Sequence, residues 1–173
     1  MSGTGGDGGG GGGGGGFDAS ADCTGSTKMW IPELGVCSQV QGGTVEILPI
    51  GRGIAASKAV YSLVRSLWRA RKAGAIVIGK YPEYVKAGQA IGAGTFDLGK
   101  DLWDDLARTK KGLAFAQKLN DVFINMAVRM KWTVNVSSPA SLATRGSGFR
   151  REIDLLESKG YVLSNNGTKM VRR

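Results

Sequence analysis

Histidine is absent from this chain of 173 residues, and cysteine occurs only twice. Without histidine there is no Ser-His-Asp or Cys-His catalytic set, and no side chain whose ordinary pKa lies near neutrality. Two cysteines without a histidine also fall short of an ordinary four-ligand zinc site, so no metal centre is expected and many nuclease and hydrolase chemistries are excluded. Cys23 and Cys37 stand fourteen residues apart. They could close a disulfide in an oxidising compartment or remain free thiols. Long apolar runs are missing too. No stretch reaches the roughly 20 residues a membrane-spanning helix needs, so stable membrane insertion is not expected. The first residues carry neither the basic nor the apolar region of a signal peptide.

Acid is scarcer than base, with 14 Asp and Glu against 23 Lys and Arg and a formal charge of +9. The imbalance is local. Residues 1–51 sum to −4, residues 52–72 hold six bases and no acid, and residues 75–173 sum to +7. A basic chain meets nucleic acid, anionic lipid or an acidic protein, though charge also serves solubility.

What is abundant is glycine, 29 residues, nine of them consecutive at 8–16. Such a tract cannot bury enough apolar surface to offset its chain entropy and reads as a disordered linker, or as a start chosen inside a longer gene. Residues 1–43 as a whole read as Gly-rich linker and irregular structure. Residues 44–74 read as a lead-in: a short extended stretch over Thr44–Ile50, then a helix over Ser57–Lys72. Val60, Leu63, Val64, Leu67 and Trp68 form one apolar face of that helix, and basic residues fill the rest. It either packs on the domain C-terminal to it or, as a basic amphipathic helix, meets a membrane surface or a partner.

A compact domain is expected over residues 75–173. Ala75–Ile78 is a short apolar run closed by Gly79 and Pro82, a buried strand ending in a tight turn. A helix over Glu83–Ile91, a strand over Gly94–Leu98 and a short helix from Asp101 come next. Then come a long helix from Leu113 to about Met130, a strand over Trp132–Val136, a helix over Phe149–Lys159 and a strand from Tyr161. An Asn165-Asn166-Gly167 turn leads into the end of the chain. Alternating strands and helices predict an α/β fold: a three-layer, Rossmann-like domain with a small, mainly parallel sheet.

In such sheets ligands bind at the carboxyl ends of the strands. Gly79 and Lys80 lie at one such end, where backbone N–H groups and the lysine could receive a phosphate. A turn that needs glycine for geometry alone reads equally from these residues. Ser137 and Ser138 close the third strand and could contact a ribose or phosphate, or simply cap the strand. Tyr81 and Tyr84 could stack on a base or join the core. Arg145 and Glu152 flank the last loop–helix junction. Glu152, placed in the first helical turn, could act as a general base or hold a ribose hydroxyl, or only favour the helix N-terminus. Lys110, Lys111, Arg129, Lys131, Arg150 and Arg151 could track phosphates or form a solvated face.

The series GKYPEYVKAGQAIGAGTFDL, then Trp103 before a helix with Asn120 and Phe123, then WTVNVSSP, Gly146-Ser147-Gly148-Phe149 with Glu152, and the ending KGYVLSNNGTKMV resembles the C-terminal toxin domains of Rhs-type and other polymorphic bacterial toxins. PIGRGIAASKAVYSLV is similar to the segments that precede such domains. The resemblance implies an interbacterial effector, secreted or delivered into a target cell and acting in its cytoplasm, and a cognate immunity protein as partner. The reaction stays open. One reading is an enzyme that binds a nucleotide-type ligand, consuming NAD or transferring ADP-ribose, with Glu152 and Arg145 catalytic and Gly79, Lys80, Tyr81, Tyr84, Ser137 and Ser138 binding. The others are a metal-assisted nuclease using Glu152, Asp97 and Asp101, and a non-enzymatic module that binds a nucleotide or a partner.

Overall fold

A computed structural model describes residues 23–49 and 57–173. The glycine tract, and residues 50–56 of the lead-in, lie outside the described residues. The fold is mixed α/β, with five α-helices and two small sheets among the described residues.

Strands β1 (Lys28–Ile31), β2 (Val36–Gln41) and β3 (Thr44–Pro49) form an antiparallel meander. Irregular structure is the sequence expectation up to residue 43, and over residues 28–41 the meander corrects it. Met29, Ile31, Val36 and Cys37 are buried in it, and Cys37 is bonded to Cys23. The open choice between disulfide and free thiols is thus resolved in favour of the disulfide.

Helix α1 (Lys58–Ala73) begins at Ser57, whose hydroxyl caps the Val60 N–H at 3.3 Å, and ends at Gly74 in the left-handed region. Its apolar face is closed off: Val60, Leu63, Val64, Leu67 and Ala70 have no exposed surface. A face already buried in the protein has none left to lay on a membrane, so the packed-helix alternative is the one observed. Truncating Leu63 or Leu67 to alanine would remove about 2–5 kcal/mol. The buried core runs without a break from Met29 through α1 to Met170. The expected boundary at residue 74/75 is therefore a chain turn and not a gap in packing, because α1 lies against both the second sheet and the long helix below.

The second sheet has the order β4-β5-β7-β6, built from β4 (Ala75–Ile78), β5 (Thr133–Val136), β6 (Tyr161–Leu163) and β7 (Lys169–Arg172). Only β4 and β5 pair in parallel. The β5–β7 and β6–β7 pairs are antiparallel, which corrects the mainly parallel sheet expected. The cause is the turn at Asn165–Gly167: it folds β7 back on β6 as a hairpin, and β7 then reaches β5. The strand expected over Gly94–Leu98 shrinks to one parallel bridge, Gly94 to Ile76. There Gly94 allows a close approach to α1, since a Cβ would lie 2.5 Å from the Ala70 Cβ and 2.7 Å from the Ser66 carbonyl oxygen.

Helices α2 (Glu83–Ile91), α3 (Lys100–Ala107), α4 (Lys110–Arg129) and α5 (Gly148–Ser158) complete the fold. Helix α4 starts three residues earlier than its apolar stripe predicts, because the Thr109 hydroxyl caps the Gly112 N–H at 3.0 Å.

Candidate functional site

The parallel pair β4–β5 brings two strand ends together. Ile78 pairs in register with Val136, so Gly79-Lys80 and Ser137-Ser138 leave the sheet side by side. The Ser137 N–H donates to the Ile78 carbonyl at 3.0 Å, and its hydroxyl donates to the same oxygen at 3.2 Å. The Ser138 hydroxyl accepts from the Lys80 N–H at 2.9 Å. Gly79 has φ +155°, and a Cβ there would meet Ser137 Oγ at 2.3 Å and Ser138 Oγ at 2.9 Å. Only glycine fits between these hydroxyls.

Glu152 comes to this turn from α5. It is the fifth residue of the helix, beyond the first turn, which contains no acid; its expected place at the helix N-terminus is corrected, because the helix begins at Gly148 under the Ser147 cap. With Phe149, Ile153 and Leu156 it lies on the buried stripe of α5. The Asn120 amide of α4 donates to Glu152 Oε1 at 3.0 Å, and the Gly79 N–H is turned toward the same carboxyl. Burial pushes the Glu152 carboxyl up to about 8, against the opposing pull of Asn120 and Gly79. Glu152 Oε2 and Asn120 Oδ1 are buried with no hydrogen-bond partner.

Tyr84 of α2 stands beside them. Its hydroxyl donates to the Phe96 carbonyl at 2.6 Å. Burial first, then the carboxyls of Glu152 and Asp97 and the Tyr81 phenol, raise its pKa well above the ordinary phenol range. Being anchored in this way, Tyr84 is not a free stacking platform. Tyr81 meets it edge to face at a centroid distance of 6.3 Å and is 57% exposed.

These contacts bring Gly79, Ser137, Ser138, Tyr84 and Glu152 together, and Lys80 and Tyr81 follow Gly79 on the same turn. One detail is corrected. The Lys80 N–H is held by Ser138 and the Gly79 N–H faces Glu152, so the turn offers no pair of free backbone donors to a phosphate. Arg145 does not join the cluster. It is exposed on the loop before α5 and has no hydrogen bond or ion pair among the described residues. The loop's Gly146 turn carries it into solvent.

The phosphate-tracking surface is also corrected. Arg129 pairs with Glu33 at 2.6 Å, Arg150 with Asp154 at 2.5 Å and Glu157 at 3.1 Å, and Arg151 with Asp121 at 2.5 Å. Half of the six cations thus face protein carboxylates. Among the described residues no three Asp, Glu or Cys side chains gather as metal ligands, and Asp97 accepts from the Gly99 N–H at 2.9 Å. Glu152, Asp97 and Asp101 do not form the set a metal-assisted reaction needs.

Asn120 is the site residue to which the sequence reading assigns no role, although the motif series includes it. Its signal is nevertheless there: it occupies the core stripe of α4 with Ala116, Leu119 and Phe123. A polar residue on an apolar stripe must find a partner. No family model, curated protein or solved structure matches this chain.

Proposed function

We propose that this chain carries the effector domain of a polymorphic bacterial toxin, delivered into a target cell and neutralised in its producer by an immunity protein. Its ligand is a nucleotide of the NAD type, and the reaction is cleavage at the nicotinamide ribose, with transfer to water or to an acceptor. The motif series from GKYPEY to KGYVLSNNGTKMV supports the toxin reading. The observation that supports the chemistry is a single one. A buried carboxyl, Glu152, keeps one oxygen without a partner beside the carboxyl ends of two parallel strands. Those strand ends are the Rossmann-like element of this reading.

When the C–N bond to nicotinamide breaks, positive charge develops on the ribose and nicotinamide leaves neutral. A carboxylate at Glu152 would stabilise that charge or hold a ribose hydroxyl through Oε2. The exposed Lys80 ammonium is suited to a pyrophosphate and the exposed Tyr81 ring to a base. The test is to mix the purified chain with NAD and follow free nicotinamide. The reading expects nicotinamide release that Glu152→Gln abolishes. Intact NAD, alone and with a bacterial lysate as a source of acceptors, would overturn it.

A further inference from the structure

The two unpartnered oxygens at the α4–α5 seam belong to groups already joined. Asn120 Nδ2 donates to Glu152 Oε1 at 3.0 Å. The atoms left over are the second oxygen of the same carboxyl and the oxygen of the same amide. Both residues are only 9% exposed. Two buried acceptors on groups already joined, with no donor for either, are costly, and one hydrogen shared between them would satisfy both. No lysine or arginine forms an ion pair with Glu152 among the described residues. A buried carboxylate with neutral neighbours only is poorly compensated.

We infer that Glu152 Oε2 carries a proton that it donates to Asn120 Oδ1, closing with the existing amide bond a cyclic acid–amide pair that ties α5 to α4. Asn120 is then a positioning residue for Glu152. This rests on the proposed role of Glu152 for its catalytic consequence, but not for its existence. The groups that face Glu152 are consistent with it. The Tyr84 phenol from α2 is uncharged and engaged with Phe96. The Gly79 N–H comes from the β4 turn, and Asp97 acts on the same Tyr84 from the loop after α2. The neighbouring Arg151 is occupied by Asp121. Burial of the carboxyl raises its proton affinity, in the direction the pair requires.

The pair has a close mimic. In Glu152→Gln the new amide can donate to Asn120 Oδ1 and accept from Asn120 Nδ2, so both bonds survive without a titrating proton. The experiment compares thermal unfolding of the full chain and of Glu152→Gln between about pH 5 and pH 9, with a carbon-13 titration of the glutamate carboxyls. The expected result is equal Tm at the acid end. The parent then falls several degrees below Glu152→Gln at the alkaline end, and one carboxyl titrates well above the ordinary range. In Asn120→Asp an acceptor replaces the amide donor, so that variant should be destabilised at neutral pH and recover toward acid pH. A Tm difference that does not change with pH, or carboxyls that all titrate in the ordinary range, overturns the pair. Failure to release nicotinamide overturns the proposed function and leaves these readouts untouched.

Discussion

The indole Nε1–H of Trp68 on α1 donates to Ser38 Oγ on β2 at 3.1 Å. Ser38 is fully buried, and its own O–H donates to the Met29 carbonyl at 3.2 Å. One serine thus joins β1, β2 and α1. Arg71, one turn on, stacks 4.8 Å above the Trp68 ring and donates to the carbonyls of Lys28 and Gly25. Helix α1 is the beam to which the meander is fastened. Trp68→Phe should lower stability by about 1–2 kcal/mol. Ser38→Ala should cost more, because it strands both the half-buried Trp68 indole N–H and the buried Met29 carbonyl. A double-mutant cycle by urea unfolding should return a coupling energy above about 0.5 kcal/mol if the bond is made.

The Cys23–Cys37 bond secures the same meander from its other side. It closes a loop with a sequence separation of 14, for which loss of the cross-link costs about 3 kcal/mol in the chain-entropy account. The paired substitutions Cys23→Ser and Cys37→Ser should therefore shift the unfolding midpoint by that order. Hydrogen exchange of β1 and β2 should rise more than that of β4 and β5. Equal protection loss in both sheets would contradict the local role assigned to the bond.

Gly79 is enclosed by Ser137 Oγ, Ser138 Oγ and the Tyr84 Cβ. Gly79→Ala should destabilise the chain by about 1–3 kcal/mol through overpacking. Adding Ser137→Ala should restore part of this, since it removes the atom at 2.3 Å. Thermal unfolding of the single and double variants measures the difference, and absence of any rescue would point to backbone conformation as the whole cause.

Much of this arrangement is legible in the chain. Helix α1 shows its apolar face, α1 and α2 both show their glycine ends, and the run AIVI followed by glycine marks β4 and its turn. The meander is hidden because its buried positions include Ser38 and Cys37, which do not read as strand core until an indole partner and a disulfide to Cys23 are known. Sheet order is hidden because the final hairpin's return to β5 is a choice of tertiary pairing and not of local propensity. In the site, glutamate on the α5 stripe and asparagine on the α4 stripe are each visible, yet only packing shows that they meet.

The pH dependence of stability comes from Glu152. Its folded pKa, about 8, exceeds its ordinary value of 4.5, so the folded state holds a proton that the unfolded state releases between those limits. The proton's contribution is full below about pH 4.5 and is lost as pH rises through about 8. Acid should therefore stabilise the α4–α5 seam relative to neutral pH until other carboxylates titrate. Guanidinium midpoints measured across that window should fall with rising pH in the parent chain and stay flatter in Glu152→Gln.

The same carboxyl sets the expected rate profile. If Glu152 works as a carboxylate on a developing ribosyl cation, only its ionised form is active. With a pKa of about 8, roughly a tenth of the molecules are ionised at neutral pH. Nicotinamide release should therefore rise about tenfold from neutral pH to a plateau on the alkaline side. The Tyr84 phenol is raised well above its ordinary range and adds no second limb there. A bound dinucleotide brings the positively charged nicotinamide ring close to Glu152, which favours ionisation, so kcat should reach its plateau at a lower pH than kcat/KM. Rates that decline from neutral to alkaline pH while the fold is intact would mean that the protonated carboxyl is the working form, and would overturn the carboxylate role assigned to Glu152.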